Sequence, residues 1–290
     1  MFGRKRTGSV LCTSCGVLVG VNDDKCYNCG RRNPALWGFA PALRALGNDL
    51  GFVPIVIGLC AIMYVLTLVA SAGITGGSML GLFGPDGGAL FIFGASGAGP
   101  MIYEHRWWTP LSAGWLHGGL IHIALNMLSL RTLAPLVVEF YGPARMVIIY
   151  TLGAVAGFTV SSVTAAFLPA FPLIGGSPYP SQHLTVGASA SLAGLLGALL
   201  YYGHRSGSSM VRGQANQWIM SMLVFGFLIP RIDNYAHIGG LAGGYVTSKL
   251  LDPLKPERGD HVVIALLCLA ASVAAILYSA IPVLIELNRR

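Results

Sequence analysis

The chain has 290 residues, of which 54% are hydrophobic and 10% charged, with a formal net charge of +7 and a mean hydropathy of +0.67. Soluble domains carry about 25% charged residues, so a water-soluble globule is excluded, and the apolar residues fall in runs long enough to cross a bilayer. The positive balance is explained by topology and anionic lipid, and no nucleic-acid partner is expected.

The N-terminal segment reads LCTSCG and then KCYNCG, placing Cys12, Cys15, Cys26 and Cys29 in two C-x2-C pairs, each followed by a glycine (Gly16, Gly30). Two such knuckles present four thiolates that close tetrahedrally on one structural Zn2+. The alternative, a pair of disulfides, is disfavoured in a reducing cytoplasm. Residues 1–33 are therefore expected to form a small cytoplasmic zinc ribbon, a regulatory or docking module with a cytoplasmic partner. Residues 34–50, with Pro34, Pro41 and Gly47, read as a linker to the membrane. Cys60 and Cys268 lie in apolar runs and read as small buried hydrophobes.

Apolar runs predict seven spans at residues 51–72, 111–131, 143–164, 185–203, 215–230, 234–251 and 262–285. With the N-terminus in the cytoplasm, 14 of the 18 lysines and arginines lie inside, including Arg44, Arg131 and Arg145. Only Arg106, Arg231, Arg289 and Arg290 fall outside, as the positive-inside rule requires. The connection from 73 to 107 is long, glycine-rich and aromatic, which suits an external loop lying partly in the membrane interface.

Polar groups inside spans are rare and mark function. The second, fourth and sixth spans run from outside to inside, and each carries its unusual residues in the outer half. These are HGGLIHIALN (His117, His122, Asn126), GASAS (Ser189, Ser191) and YAHIGGLAGG (His237). His122 and Asn126 are about 40° apart around a helix and share a face, whereas His117 is about 140° from His122 and is expected to point elsewhere, bracing the external loop. Gly240 and Gly244 share the face of His237, and Ala193 and Gly197 extend that of Ser189, so the two helices pack closely. Close approach permits a serine–histidine hydrogen bond. Ser189 is then the nucleophile and His237 the general base, and His122, Asn126 and the Ser189 N–H stabilise an oxyanion, with Gly187 keeping backbone space. Asp233 reads as the cap of the sixth helix, leaving a dyad, and Ser191 is a weak alternative nucleophile about 200° around the helix.

These motifs resemble those of the rhomboid intramembrane serine proteases. HGGLIHIALN is similar to their H-x4-H-x3-N, GAS at 187–189 to their G-x-S, and AHIGGLAGG to their A-H-x-x-G-x-x-x-G, over about residues 50–250. The resemblance implies an all-α polytopic membrane protein with a six-helix core over 51–251 and a seventh helix in 252–290, a 6+1 arrangement. It implies an embedded first external loop, transmembrane protein substrates, and Ser189, His237, His122 and Asn126 in the roles given above, with no cofactor in the active site. The expected location is the plasma membrane, with the site toward the outer leaflet. Three departures stand out. Ala190 replaces the usual glycine after the serine and is expected to crowd the oxyanion site. Ala193 replaces an aromatic that stacks on the histidine. Arg106-Trp107-Trp108 only approximates the family's tryptophan–arginine pair. A rival reading follows from the alanines: a rhomboid-like protein that binds transmembrane helices without efficient cleavage. A histidine-lined transporter ranks below it, because no inverted repeat of broken helices is present.

Overall fold

The computed structural model describes residues 4–41, 49–73, 84–168, 180–229 and 232–287. Part of the predicted linker, part of the external loop, and Arg44, Arg231, Arg289 and Arg290 lie outside these.

Near the N-terminus, β1 (Ser9–Leu11) pairs antiparallel with β2 (Leu18–Gly20), Val10 opposite Val19. Val10, Cys12, Val19, Val21, Cys26, Ala35 and Ala40 form a small separate core. The chain then becomes helical: α1 (Phe52–Gly73), α2 (Gly87–Ile92), a π-helical turn (Ala98–Tyr103), α3 (Thr109–Ser112), a 3-10 turn (Ala113–Trp115), α4 (Leu120–Tyr141), α5 (Pro143–Phe167), α6 (Ser189–Ser206), α7 (Ser209–Leu228), α8 (Asn234–Leu251) and α9 (Gly259–Leu287). Seven of these have 18 or more residues. Four of them, α1, α4, α5 and α9, are by themselves long and apolar enough to cross a bilayer. Glycine, serine and polar ends dilute the hydropathy of α6, α7 and α8. The chain is a multi-pass helical membrane protein.

The second span differs most from expectation. Residues 111–116 belong to the broken stretch around α3, and α4 starts only at Leu120. Ala113, Trp115 and Leu116 are apolar because they are buried in protein, and hydropathy does not distinguish that from burial in lipid. As a result Arg131 sits within α4 and not in a loop beyond it. Arg145 is not a free loop charge either. It is buried, and its guanidinium donates to the carbonyls of Leu251, Asp252 and Lys255 at 2.9–3.1 Å, where α8 ends. Beside it, Glu257 accepts from the first backbone N–H groups of α5, those of Ala144 and Arg145, at 2.8 and 3.0 Å. This anion at a helix N-terminus and cation at a helix C-terminus satisfy the exposed backbone groups at both ends.

At the centre, α5, α6 and α8 pack backbone to backbone. A Cβ on Gly240 would lie 2.3 Å from Ala190 O, one on Gly244 would lie 2.0 Å from Gly194 O, and one on Gly197 would lie 2.2 Å from Leu241 O. The third side is closed by Gly153 against Gly194 and by Gly157 against Ala236 and Ala190. Only the α6–α8 side is read from the sequence above; the small-xxx-small spacing of Gly153 and Gly157 is the signal for the rest. Gly244→Ala should therefore lower stability by ~1–3 kcal/mol through overpacking, seen as earlier thermal unfolding in detergent. Gly58→Ala, on α1 with nothing within 4 Å of its Cβ, should leave unfolding unchanged or delay it, since alanine is the better helix former by ~1 kcal/mol.

Candidate active site

The site is assembled from the N-terminal ends of three helices and the turn before one of them. His122 is the third residue of α4 and Asn126 lies one turn on. Asn126 Nδ2 donates to the His122 carbonyl at 3.0 Å, and Gly118 N–H lies 3.4 Å from His122 Nδ1. The shared face expected from their spacing is present.

Facing them is Gly187. Its φ of +123° is a left-handed conformation that favours glycine. A Cβ there would lie 2.6 Å from His122 Cε1 and Nε2 and 3.7 Å from Asn126 Nδ2. So Gly187 is adjacent to both expected oxyanion residues, and no other side chain leaves room for them. The turn it makes ends in Ser189, the first residue of α6. Ser189 is half-buried and lies at the start of the helix, not inside a span that begins at 185. First-turn N–H groups have no partner within their helix and carry the positive end of its dipole, which is the chemistry an oxyanion needs.

His237 is the fourth residue of α8. It is buried, and its Nδ1 has no hydrogen-bond partner among the described residues. Its neighbour Ala236 and Ser189's neighbour Ala190 both meet Gly157, at 2.5 and 2.9 Å from a Cβ built there. The two helix starts are thus held side by side on α5. Asp233 caps α8 as expected, its Oδ1 accepting from Ala236 N–H at 3.0 Å while Oδ2 accepts from the Ser161 hydroxyl.

Two expectations change, at His117 and Ser191, and two substituted positions, Ala190 and Ala193, find their neighbours. His117 precedes α4 and is not on it, so its helical angle does not apply. Its ring meets that of His122 edge to face at 5.2 Å, and its Nε2 lies 3.5 Å from Ala188 N–H, against the turn before Ser189. Ser191 is fully buried, its hydroxyl without a hydrogen-bond partner among the described residues, and it lines a cavity of about 10 Å3 with Tyr150, Thr151, Gly114 and Ser272, so it is no accessible nucleophile. The Ala190 methyl is buried against Gly157, 2.9 Å from a Cβ built there. The Ala193 methyl lies 3.2 Å from a Cβ built on Gly240, so a ring at 193 would force α6 and α8 apart.

The external loop holds contacts that sequence reasoning missed. Ser96 and Thr185 form an isolated antiparallel bridge, with N–H···O distances of 2.8 and 3.1 Å. Gly97 and Gly99 approach the backbone of His183 and Ser181, where a Cβ would come within 2.0 and 2.3 Å. His183 Nδ1 accepts from Ala98 N–H at 3.2 Å. The repeated small residues of GASGAGP at 94–100 were the available signal. Arg106 donates to Phe91 O at 2.7 Å and lies over the Phe91 ring at 4.3 Å.

Far from this site, the four N-terminal cysteines come together. All four Sγ atoms lie within 4.8 Å of one another, with Cys12–Cys29 at 3.8 Å and Cys15–Cys26 at 3.6 Å. A tetrahedral Zn–S4 centre with bonds near 2.3 Å requires sulfurs about 3.8 Å apart, so the donor set fits. The two knuckles are built alike: Cys12 N–H bonds Val17 O and Cys26 N–H bonds Arg31 O, while Gly16 and Gly30 donate back to Cys12 and Cys26 at 3.0 Å. Both glycines have positive φ, +74° and +72°. A backbone hydrogen bond at Val17 draws the Cys15 thiol down to about 6, and burial pushes Cys29 up to about 12.

The family model of the Rhomboid domain matches residues 104–253, just over half of the chain. Rhomboid protease GluP of Bacillus subtilis (strain 168) is 34% identical over 193 residues, covering 65% of this chain and 35% of the relative. RHOMBOID-like protein 2 of Arabidopsis thaliana is 30% identical over 183 residues, covering 61% and 52%. The putative rhomboid protease YdcA of Bacillus subtilis is 26% identical over 161 residues, covering 54% and 73%. The chain spans about a third to a half of the length of the first two of these relatives. The matched region contains α4 to α8 and every residue of the site described above, and the chain belongs to the rhomboid family.

Proposed function

We infer that this chain is a rhomboid-type intramembrane serine protease that cleaves transmembrane segments of other membrane proteins. The observation that carries this reading is the convergence of Gly187, His122 and Asn126 beside Ser189, with His237 on the neighbouring helix start. Ser189 Oγ attacks the scissile carbonyl carbon while the His237 imidazole takes its proton. The oxyanion accepts from the Ser189 N–H, Asn126 and His122. His237 then delivers the proton to the departing amine, and a water attacks the acyl-enzyme by the same route to free the acid and Ser189. The chain's own groups suffice for each step. The names of the two bacterial relatives, a rhomboid protease and a putative rhomboid protease, support the same chemistry.

The arrangement that goes with this reading has α1 and α4–α8 as a six-helix core in the plasma membrane, α9 as a seventh span, the N-terminus in the cytoplasm, and the site toward the outer leaflet. Segments 1–33, 34–50, 51–251 and 252–290 are the corresponding units. Cys12, Cys15, Cys26 and Cys29 would hold one Zn2+, which would cross-link the two knuckles of the ribbon; a cytoplasmic partner would meet its exposed face.

Fluorophosphonate labelling of the purified protein in detergent should modify the parent and be lost in Ser189→Ala and His237→Ala. Asn126→Ala should slow labelling by about 100-fold or more, the effect of losing one oxyanion donor. Labelling that persists in Ser189→Ala would remove Ser189 as nucleophile. A folded parent that binds transmembrane peptides without labelling or cutting them would select the helix-binding reading instead. Metal analysis of the full chain should find about one zinc per chain. Cys12→Ser, which removes a fully buried ligand, should lower that content sharply; a metal-free parent purified under reducing conditions would overturn the ribbon.

A further inference from the structure

The last helix is not simply appended to the fold. On its buried side, Ser279 is almost inaccessible, and its Oγ accepts from Trp108 Nε1–H at 2.8 Å, across 171 positions of sequence. The adjacent Tyr278 meets the Trp108 ring edge to face, centroids 4.4 Å apart. A Cβ on Gly94, a residue at φ +96°, would lie 2.7 Å from Ser279 Oγ and 2.4 Å from Ser112 Oγ. So α9 grips the external stretch at two points, residue 94 and residue 108.

From Trp108 the contacts run toward the site without a gap. Thr109, next in sequence, places its Oγ1 3.3 Å from Ser96 Oγ, and both are fully buried. Ser96 pairs with Thr185 through two backbone hydrogen bonds of 2.8 and 3.1 Å. Two residues on, Gly187 N–H donates to Ala113 O at 3.0 Å, again to the same loop. The turn 185–188 that sets Gly187 against His122 is therefore held on the loop 94–115, and that loop is held on α9.

We propose that α9 is a positioning element for the active site: Tyr278 and Ser279 fix Trp108, and through the loop 94–115 they fix the turn that presents Ser189. α9 touches no reacting atom in this arrangement. It works by restricting how often the Ser96–Thr185 bridge opens and so how often Gly187 leaves His122. The effect on catalysis rests on the serine-hydrolase reading; the effect on the loop does not.

The test compares amide hydrogen exchange of the full chain in detergent for the parent, Ser279→Ala, Trp108→Phe and Leu277→Ala. Leu277 is half-exposed on the same helix and serves as the control. Loss of one buried hydrogen bond should speed exchange at Ser96, Thr185 and Gly187 about 3–10-fold in Ser279→Ala and in Trp108→Phe, with Leu277→Ala unchanged. The double variant should exchange about as fast as Trp108→Phe alone, because both changes break one contact. In the same variants the maximal rate of fluorophosphonate labelling should fall only in proportion to the closed fraction lost, less steeply than exchange rises, with the half-saturating probe concentration unaltered, a split that a general loss of fold would not give. Unchanged exchange at residues 96, 185 and 187 in both variants, or equal acceleration in Leu277→Ala, would overturn the proposal. A parent that shows no labelling would remove the serine-hydrolase reading and leave the exchange measurements to decide the role of α9.

Discussion

The structure depends on the contact of three helix backbones with nothing larger than an alanine methyl between them. Where α6 meets α8, and both meet α5, the partners of Gly240, Gly244 and Gly197 are peptide carbonyls. In lipid, helices gain nothing by hiding apolar side chains from an equally apolar solvent, so small residues that allow close packing are what holds them together. At this separation Cα–H···O contacts add to the dispersion term. The gain is positional. A side chain carried on a packed backbone has few ways to move, and a serine and a histidine from separate helices need that restraint to stay in register.

Around this centre the site is supported from two directions. On the side of Ser189, the turn at Gly187 is enclosed by His122, Asn126 and Ala113, with His117 against Ala188. On the opposite end of the core, Arg145 and Glu257 tie the start of α5 to the end of α8. The second arrangement satisfies helix ends that would otherwise leave bare N–H and C=O groups, while the first leaves the N–H groups at the start of α6 open. The glycine core and these end ties make α5 and α8 behave as one body, and His237 is carried on it.

What could be read from the sequence was what is encoded locally. Each cysteine pair is four residues long and each knuckle bonds within itself, so the spacing alone announces the cluster. His122 with Asn126, and His237 with Gly240 and Gly244, obey helical periodicity and could be sorted by angle. The packing of Gly153 and Gly157 obeys it too, though no histidine or asparagine on that helix draws attention to it. The loop could not be read this way. The Ser96–Thr185 bridge joins single residues 89 positions apart, and no periodicity signals a ladder one rung long. The start of α4 was missed for a different reason: residues 111–116 are apolar in order to be covered by protein, and a hydropathy scale sees only that they are apolar. His117 went with them, and so its contact with His122 did too.

The seat of Ala190 on Gly157 bears on the route by which such a chain changes over time. The methyl at 190 fits because position 157 has no side chain, and a Cβ at 157 would strike Ala236 O at 2.5 Å in any case. Glycine at 157 is thus a precondition for alanine at 190, while the reverse does not hold. A lineage with glycine at both positions can acquire the alanine in one step and lose it again freely. Position 157 is closed to every larger residue from one side by the Ala236 carbonyl, and from a second side once the alanine is present. The order of substitutions at this contact is written into its geometry.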